Sequence, residues 1–174
     1  MRWTVHSERS LYDSAWMSLR LADVELPDGH RFDHHLVRLP TPAAGVVIDD
    51  PAGGVLLVWR HRFITDTWGW EVPAGRAEAG EELATAAARE TLEETGWRPG
   101  PLRLLADFFA APGVSDHRFV VYAADSAEHV GAPVDLHEAE RVERVPRAAA
   151  RDLIRSGQVR DSFSLVGLAL ALAP

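Results

Sequence analysis

Glu90, Glu93 and Glu94, with Arg89 directly before them and Glu81 upstream, are the residues whose types and spacing could do chemistry. The segment after Gly80 is rich in Ala and Leu and predicts a helix, with Glu81 and Glu82 suited to its first turn and Gly96 to its C-terminal cap. At 3.6 residues per turn, Glu90 and Glu94 lie one turn apart on one face, with Glu93 beside them. Like charges at this spacing cost about 0.2–0.5 kcal/mol per pair, and Arg89 offsets only part of that. A hard divalent cation, Mg²⁺ or Mn²⁺, would relieve the repulsion, because such ions prefer carboxylate and carbonyl oxygens. The plain alternative is a solvated, salt-bridged surface helix. Ala84, Ala88, Thr91 and Leu92 form the neighbouring arc expected to meet a core.

The elements that must position these carboxylates lie on either side. Ala43–Ile48 and Val55–Arg60 read as two strands joined by a turn over residues 49–54, and their near-continuous apolar runs suit strands covered on both faces. The cluster Arg60-His61-Arg62-Phe63 follows. It is either a solvated strand end or a phosphate clamp, with Arg62 the first choice and Arg60 the second. Residues 65–69 read as a loop and residues 70–72 as a short strand. Pro73-Ala74-Gly75 reads as a turn in which Gly75 supplies unusual φ values and the Ala74 carbonyl points outward. Beyond the helix come strands over 102–110 and 119–124, an acidic loop over 125–140 and a short strand over 141–145. Pro146 is expected to open a helix, and Asp161 to cap a last one.

Residues 1–40 show alternating runs on either side of Pro27-Asp28-Gly29, the pattern of an antiparallel hairpin ahead of the main body at 41–174. His34 and His35 would point to opposite faces of a strand and cannot share a metal. The 174 residues, 47% hydrophobic and 25% charged, describe an ordinary globular chain, and the net charge of −8 argues against an extended nucleic-acid footprint. With no Cys, disulfides and thiolate chemistry are excluded. The longest apolar run, residues 165–173, is too short to span a bilayer, so no membrane partner and a cytoplasmic location are expected.

Gly75, Glu81, Arg89-Glu90, Glu93-Glu94 and Gly96 together fix seven positions, and at roughly 6–7% per residue type a chance match is on the order of one in 10⁸. Their spacing resembles the Nudix box, with Thr91 where that family usually has an aliphatic residue. The resemblance covers about residues 40–172. It implies an α/β class fold, an α/β/α sandwich with a mixed sheet, and metal-dependent hydrolysis of a nucleoside diphosphate linked to another group. It also implies metal ligands at Glu90, Glu94, Glu93 and the Ala74 carbonyl, with Arg89 holding the glutamates and Glu93 or Glu94 in the catalytic step. A loop carboxylate often joins such sites, and Glu138, then Glu140, is its expected source here.

Pro112-Gly113-Val114-Ser115 and Glu71-Val72-Pro73-Ala74-Gly75 resemble the ADP-ribose pyrophosphatase branch. That branch implies ADP-ribose or a nucleotide sugar as substrate, and a homodimer built on residues 1–40. His117 stands where the branch usually has Glu, and Trp59, Trp68 and Trp70 replace its usual Tyr-Arg pattern, with Trp70 a candidate for stacking on a base. A nucleoside triphosphate pyrophosphatase and a non-catalytic nucleotide sensor are the alternatives.

Overall fold

The computed structural model describes residues 1–135 and 138–173. Residues 1–42 with 109–118 form one compact unit, and the rest of the chain another. In the first, β1 (Thr4–Asp13), β2 (Ser18–Glu25) and β3 (Arg31–Arg38) make an antiparallel sheet in that order. The β2–β3 hairpin turns where Pro27-Asp28-Gly29 stand, with Gly29 at φ 87. To the expected hairpin the structure adds β1. All ten of its residues are exposed, so no buried face imposed the alternation by which sequence reading finds strands. The segment 109–118 lies along β3, where the Val37 N–H donates to the Val114 carbonyl at 2.8 Å and the Leu39 N–H to the Asp116 carboxylate at 2.9 Å.

The second unit follows the order β4 (Ala43–Asp50), β5 (Gly54–Arg62), β6 (Thr67–Glu71), β7 (Ala74–Arg76), α1 (Leu83–Thr95), β8 (Trp97–Pro99) and β9 (Arg103–Phe109). It continues with β10 (Arg118–Ala124), β11 (Ala127–His129), β12 (Arg141–Val145), α2 (Arg147–Arg155) and α3 (Ser162–Ala171). The main sheet runs β12-β5-β4-β10-β9, with β6 on β5 and β7 on β4, while β8 and β11 pair apart. It is mixed: β4 and β10 run parallel, and β5 is antiparallel to β4, β6 and β12.

Alternation along β4 and β5 divides the core in two. Ala44, Val46, Ile48 and Leu56 face Ala86 and Ala87 of α1. Val47, Val55 and Leu57 face Ala150 of α2 and Phe163 and Leu168 of α3. Each fully buried Val, Leu or Ile contributes about 1.5–3 kcal/mol, so the sheet is held from both sides as the α/β/α sandwich requires. On the α3 side the approach is close: a Cβ at Gly167 would meet Val47 and Val121 at 3.0 and 3.1 Å.

Helix α1 departs from expectation in two details. It begins at Leu83, so Glu81 and Glu82 precede its first turn, and Glu82 occupies the N-cap without a side-chain cap. Its core face is Ala86, Ala87, Thr91 and Thr95, so Thr91 meets the core as expected while Ala84, Ala88 and Leu92 are half-buried. With Ala on every side, adjacent arcs of this helix carry almost the same apolar signal, and packing against β4 decides between them. Thr91 is fully buried, its hydroxyl satisfied by donation to the Ala87 carbonyl at 2.7 Å. Gly96 caps the end as expected, at φ 74, its N–H donating to the Leu92 carbonyl.

Candidate active site

The carboxylates of α1 are gathered on the strand beside it. Residues 73–75, read as a turn, instead enter β7, where Ala74 and Gly75 pair with Gly45 and Ala44 of β4. Gly75 does not have a positive φ. Its requirement is space: a Cβ there would lie 2.0 Å from a carboxylate oxygen of Glu90. Glu94, 2% exposed, accepts a hydrogen bond from the Ala74 N–H at 3.2 Å. Gly75 thus abuts Glu90, and its neighbour Ala74 bonds Glu94.

Two arginines divide the acids between them. Arg89 donates to Glu81 at 3.0 Å, to Glu90 at 2.8 Å and to Glu93 at 3.0 Å. Those bonds, that to Glu81 foremost, hold its guanidinium above its usual pKa. Glu81, which also accepts from the Glu78 N–H, is thereby tied to the helix it precedes. Arg60, 4% exposed, donates to Glu94 at 3.1 Å and to both the backbone carbonyl (2.8 Å) and the carboxylate of Glu138. Glu138, 44 residues past Glu94 in sequence, is therefore brought to the α1 carboxylates. Glu140 contributes a backbone bond, its N–H to the Trp59 carbonyl at 2.9 Å. Leu136 and His137 of the same loop lie outside the described residues.

The electrostatics follow from this crowding. Burial pushes the Glu94 carboxyl up to about 8; the Arg60 charge opposes that, and the hydrogen-bonded Glu138 adds to it. Burial likewise raises Glu90, against Arg89 and with help from Glu93 and Glu138. At Glu138 burial also acts upward, but the bonds to Glu94 and Arg60 outweigh it and the net shift is downward. Two neighbouring carboxyls are thus pushed in opposite directions, Glu94 up and Glu138 down.

The remaining candidates are placed by the register of β5 and β6, in which Arg60 stands opposite Gly69, and Trp59 and His61 opposite Trp70 and Trp68. Arg60, Arg62 and Glu71 thus share the face toward Glu94, and the rings share the other. Arg62 donates to Glu71 at 2.9 and 3.1 Å while its side chain remains 53% exposed. Trp70 is corrected from a base-stacking surface to a core residue. It is 7% exposed and packed with Val159 and Phe163, its ring lying against Trp59 at 5.3 Å and beneath Arg141 at 5.1 Å. Alternation sends it away from the carboxylates. His117 stands in the first unit, where its backbone N–H donates to the Ser115 hydroxyl at 3.0 Å.

Among the described residues no three acids or imidazoles converge on one point as a ready-made cation cage. The reason is visible in the two arginines, which draw Glu90 and Glu93 one way and Glu94 and Glu138 the other. The donor chemistry nonetheless fits a hard divalent ion. Glu81, Glu90, Glu93, Glu94 and Glu138 set five carboxylates against Arg60 and Arg89, an excess of negative charge that a cation would offset.

Comparison with known proteins gives this geometry its context. The NUDIX domain matches residues 39–163, and the nucleoside diphosphate sugar hydrolase N-terminal domain matches residues 3–37. A CMP-5'-(N-acetyl-N-hydroxy-3-aminopropyl)phosphonate hydrolase of Streptomyces rubellomurinus is 41% identical over 172 residues, covering 99% of this chain and 83% of that protein. An ADP-ribose pyrophosphatase of Mycobacterium tuberculosis is 32% identical over 168 residues, 95% of this chain and 80% of the relative. A crystal structure of an ADP compounds hydrolase shares the fold with a TM-score of 0.86 at 20% identity, covering 98% of this chain and 92% of that one. Hydrolases of this family generally use divalent metal ions. On the match over residues 39–163 and the likeness along nearly the whole chain, the protein belongs to the Nudix family, as a pyrophosphohydrolase.

Proposed function

We propose that this chain hydrolyses ADP-ribose or a nucleotide sugar, within the broader activity of cleaving a pyrophosphate bond in a nucleoside diphosphate linked to another group. The observation that carries the reading is the cluster of Glu90, Glu93, Glu94 and Glu138 around Arg60 and Arg89, with Glu94 buried at its base. Mg²⁺ or Mn²⁺, held by Glu90, Glu94, Glu93 and the Ala74 carbonyl, would supply charge neutralisation at the phosphate oxygens and a more acidic water. The chain's own residues do the rest. Glu138, kept ionised by Arg60, takes the proton of the attacking water. Arg89 holds Glu90 and Glu93 in place, and Arg62, half exposed beside Glu71, meets phosphate oxygens with its free edge. Water adds at one phosphorus, the bridging P–O bond breaks, and each phosphorus leaves on its own product.

Support for ADP-ribose comes from the mycobacterial relative and from the Pro112-Gly113-Val114-Ser115 segment. A second reading, a CMP group joined to a phosphonate, is favoured by the 41% identity to the Streptomyces hydrolase over nearly the whole chain. The fully exposed β1, with Val5, Leu11 and Tyr12 each more than 40% exposed, supports residues 1–40 as a dimerising region. Light scattering of the purified protein tests that: a monomer at micromolar concentration removes it.

A substrate panel with Mg²⁺ or Mn²⁺ decides the activity. ADP-ribose would give AMP and ribose 5-phosphate, whereas a nucleoside triphosphate would give a monophosphate and pyrophosphate. Turnover confined to triphosphates rejects the main reading, and binding of nucleotides without turnover of any points to a sensor.

A further inference from the structure

Arg60 and Arg62 stand two residues apart on one face of β5, yet only one of them is free to meet a substrate. Arg62 bonds Glu71 and keeps an exposed edge. Arg60 is 4% exposed and has each of its three nitrogens engaged: Nε with the Glu138 carbonyl, Nη1 with Glu94 and Nη2 with the Glu138 carboxylate. A phosphate would have to displace a carboxylate, of Glu138 or of the buried Glu94, to reach it.

The loop that carries Glu138 is fastened on both sides of that residue. Ahead of it, the N–H groups of Val134 and Asp135 donate to the Glu93 carbonyl near the end of α1, at 2.9 and 3.2 Å. Behind it, the Glu140 N–H donates to the Trp59 carbonyl. Between those anchors, Arg60 grips Glu138 by backbone and side chain together, and with its remaining nitrogen grips Glu94 on the helix. The planar guanidinium fork suits such a bridge; an ammonium, a point charge, does not.

We propose that Arg60 is a positioning residue that fastens the Glu138 loop to Glu94, so that carboxylates from two distant parts of the chain act at one point. This rests on the hydrolytic reading of the site. Displacement of a reacting group by about 1 Å costs roughly 100-fold in rate, and the loss falls on kcat because Arg60 reaches the substrate only through Glu138 and Glu94.

The test has a structural arm and a kinetic arm. In metal-free protein, amide hydrogen exchange is compared for the parent, Arg60→Met and Glu138→Ala; the second variant removes the carboxylate half of the grip and keeps the Arg60–Glu94 pair, so a folding failure of the first does not hide the effect. The Glu140 amide should exchange at least about tenfold faster in both, while the Gly96 amide at the end of α1 keeps its protection. In the loaded enzyme Arg60→Met should lower kcat about 100-fold with KM within about threefold. Glu138→Gln added to it should cost less than about threefold more, since the two changes break one device. Unchanged exchange at Glu140 overturns the fastening. A KM raised more than tenfold with kcat retained makes Arg60 a phosphate ligand, and losses that multiply make the two residues independent. If the parent hydrolyses no nucleotide-linked compound, the exchange arm still decides whether Arg60 holds the loop, which separates its failure from that of the activity.

Discussion

Across the β5–β6 hairpin the two faces carry opposite chemistries. Arg60, Arg62 and Glu71 stand on one, toward Glu94; Trp59, His61, Trp68 and Trp70 stand on the other, where Arg141 lies over the rings of Trp59 and Trp70. The same two strands and the same backbone bonds support both. The charged face is expensive to build, since buried ions are held only by each other, and its use is to aim carboxylates. The aromatic face does the opposite: it buries large rings against α2 and α3 and contributes stability without touching the carboxylates. Variants on the first should move rate, and variants on the second should move stability while leaving the rate of the folded protein unchanged.

The largest effect belongs to Glu94→Gln. Glutamine keeps the shape and the hydrogen bond from the Ala74 N–H, so the fold should remain, while kcat should fall about 10³–10⁴-fold. Steady-state kinetics beside a urea titration read both quantities from one preparation. Rates equal to the parent would remove Glu94 from the reaction. On the opposite face, Trp70→Ala should cost about 3–5 kcal/mol of stability as a core truncation, with kcat of the folded protein within about twofold. A matching loss of kcat at full stability would break the division between the faces.

Much of the charged face is legible in the sequence. Glycine, arginine and glutamates at fixed spacing identify the box, and the Asp161 cap was readable from its type: its side chain accepts from the Ser164 N–H at 2.8 Å. What escaped was long-range or two-sided. Arg60 and Glu138 are 78 residues apart, and no local pattern distinguishes an arginine that binds phosphate from one that binds a carboxylate. The ring of Trp70 suits a base, and only the β5–β6 register, which sets it on the face opposite Arg60, identifies it as a core residue. The exposed β1 carried no alternation to read. Gly75 was legible as necessary but for a different reason, close approach rather than φ.

That reason gives an intermediate effect. In Gly75→Ala the new methyl meets the end of the Glu90 side chain, which can swing aside, so stability should change by less than about 1 kcal/mol. Moving Glu90 off β7 should nonetheless lower kcat roughly 10–100-fold. A stability loss of several kcal/mol with the rate unchanged would mean that the glycine serves the strand and not the glutamate.

The smallest effect is the most exacting test of the two-face division. Trp68 is 45% exposed, stacked on Trp59 at 6.0 Å and near His61 at 5.2 Å. Its ring pairs contribute about 0.5–1.5 kcal/mol beyond burial, so Trp68→Ala should lower stability by about 1 kcal/mol. Both kcat and KM should stay within about twofold, because the register places this ring on the side away from Glu94. Urea midpoints and a full Michaelis curve measure the two. If KM for an ADP-linked or CMP-linked substrate rises tenfold instead, the exposed tryptophan contacts the base or the linked group. Specificity would then be read by the aromatic face while the charged face performs the cleavage.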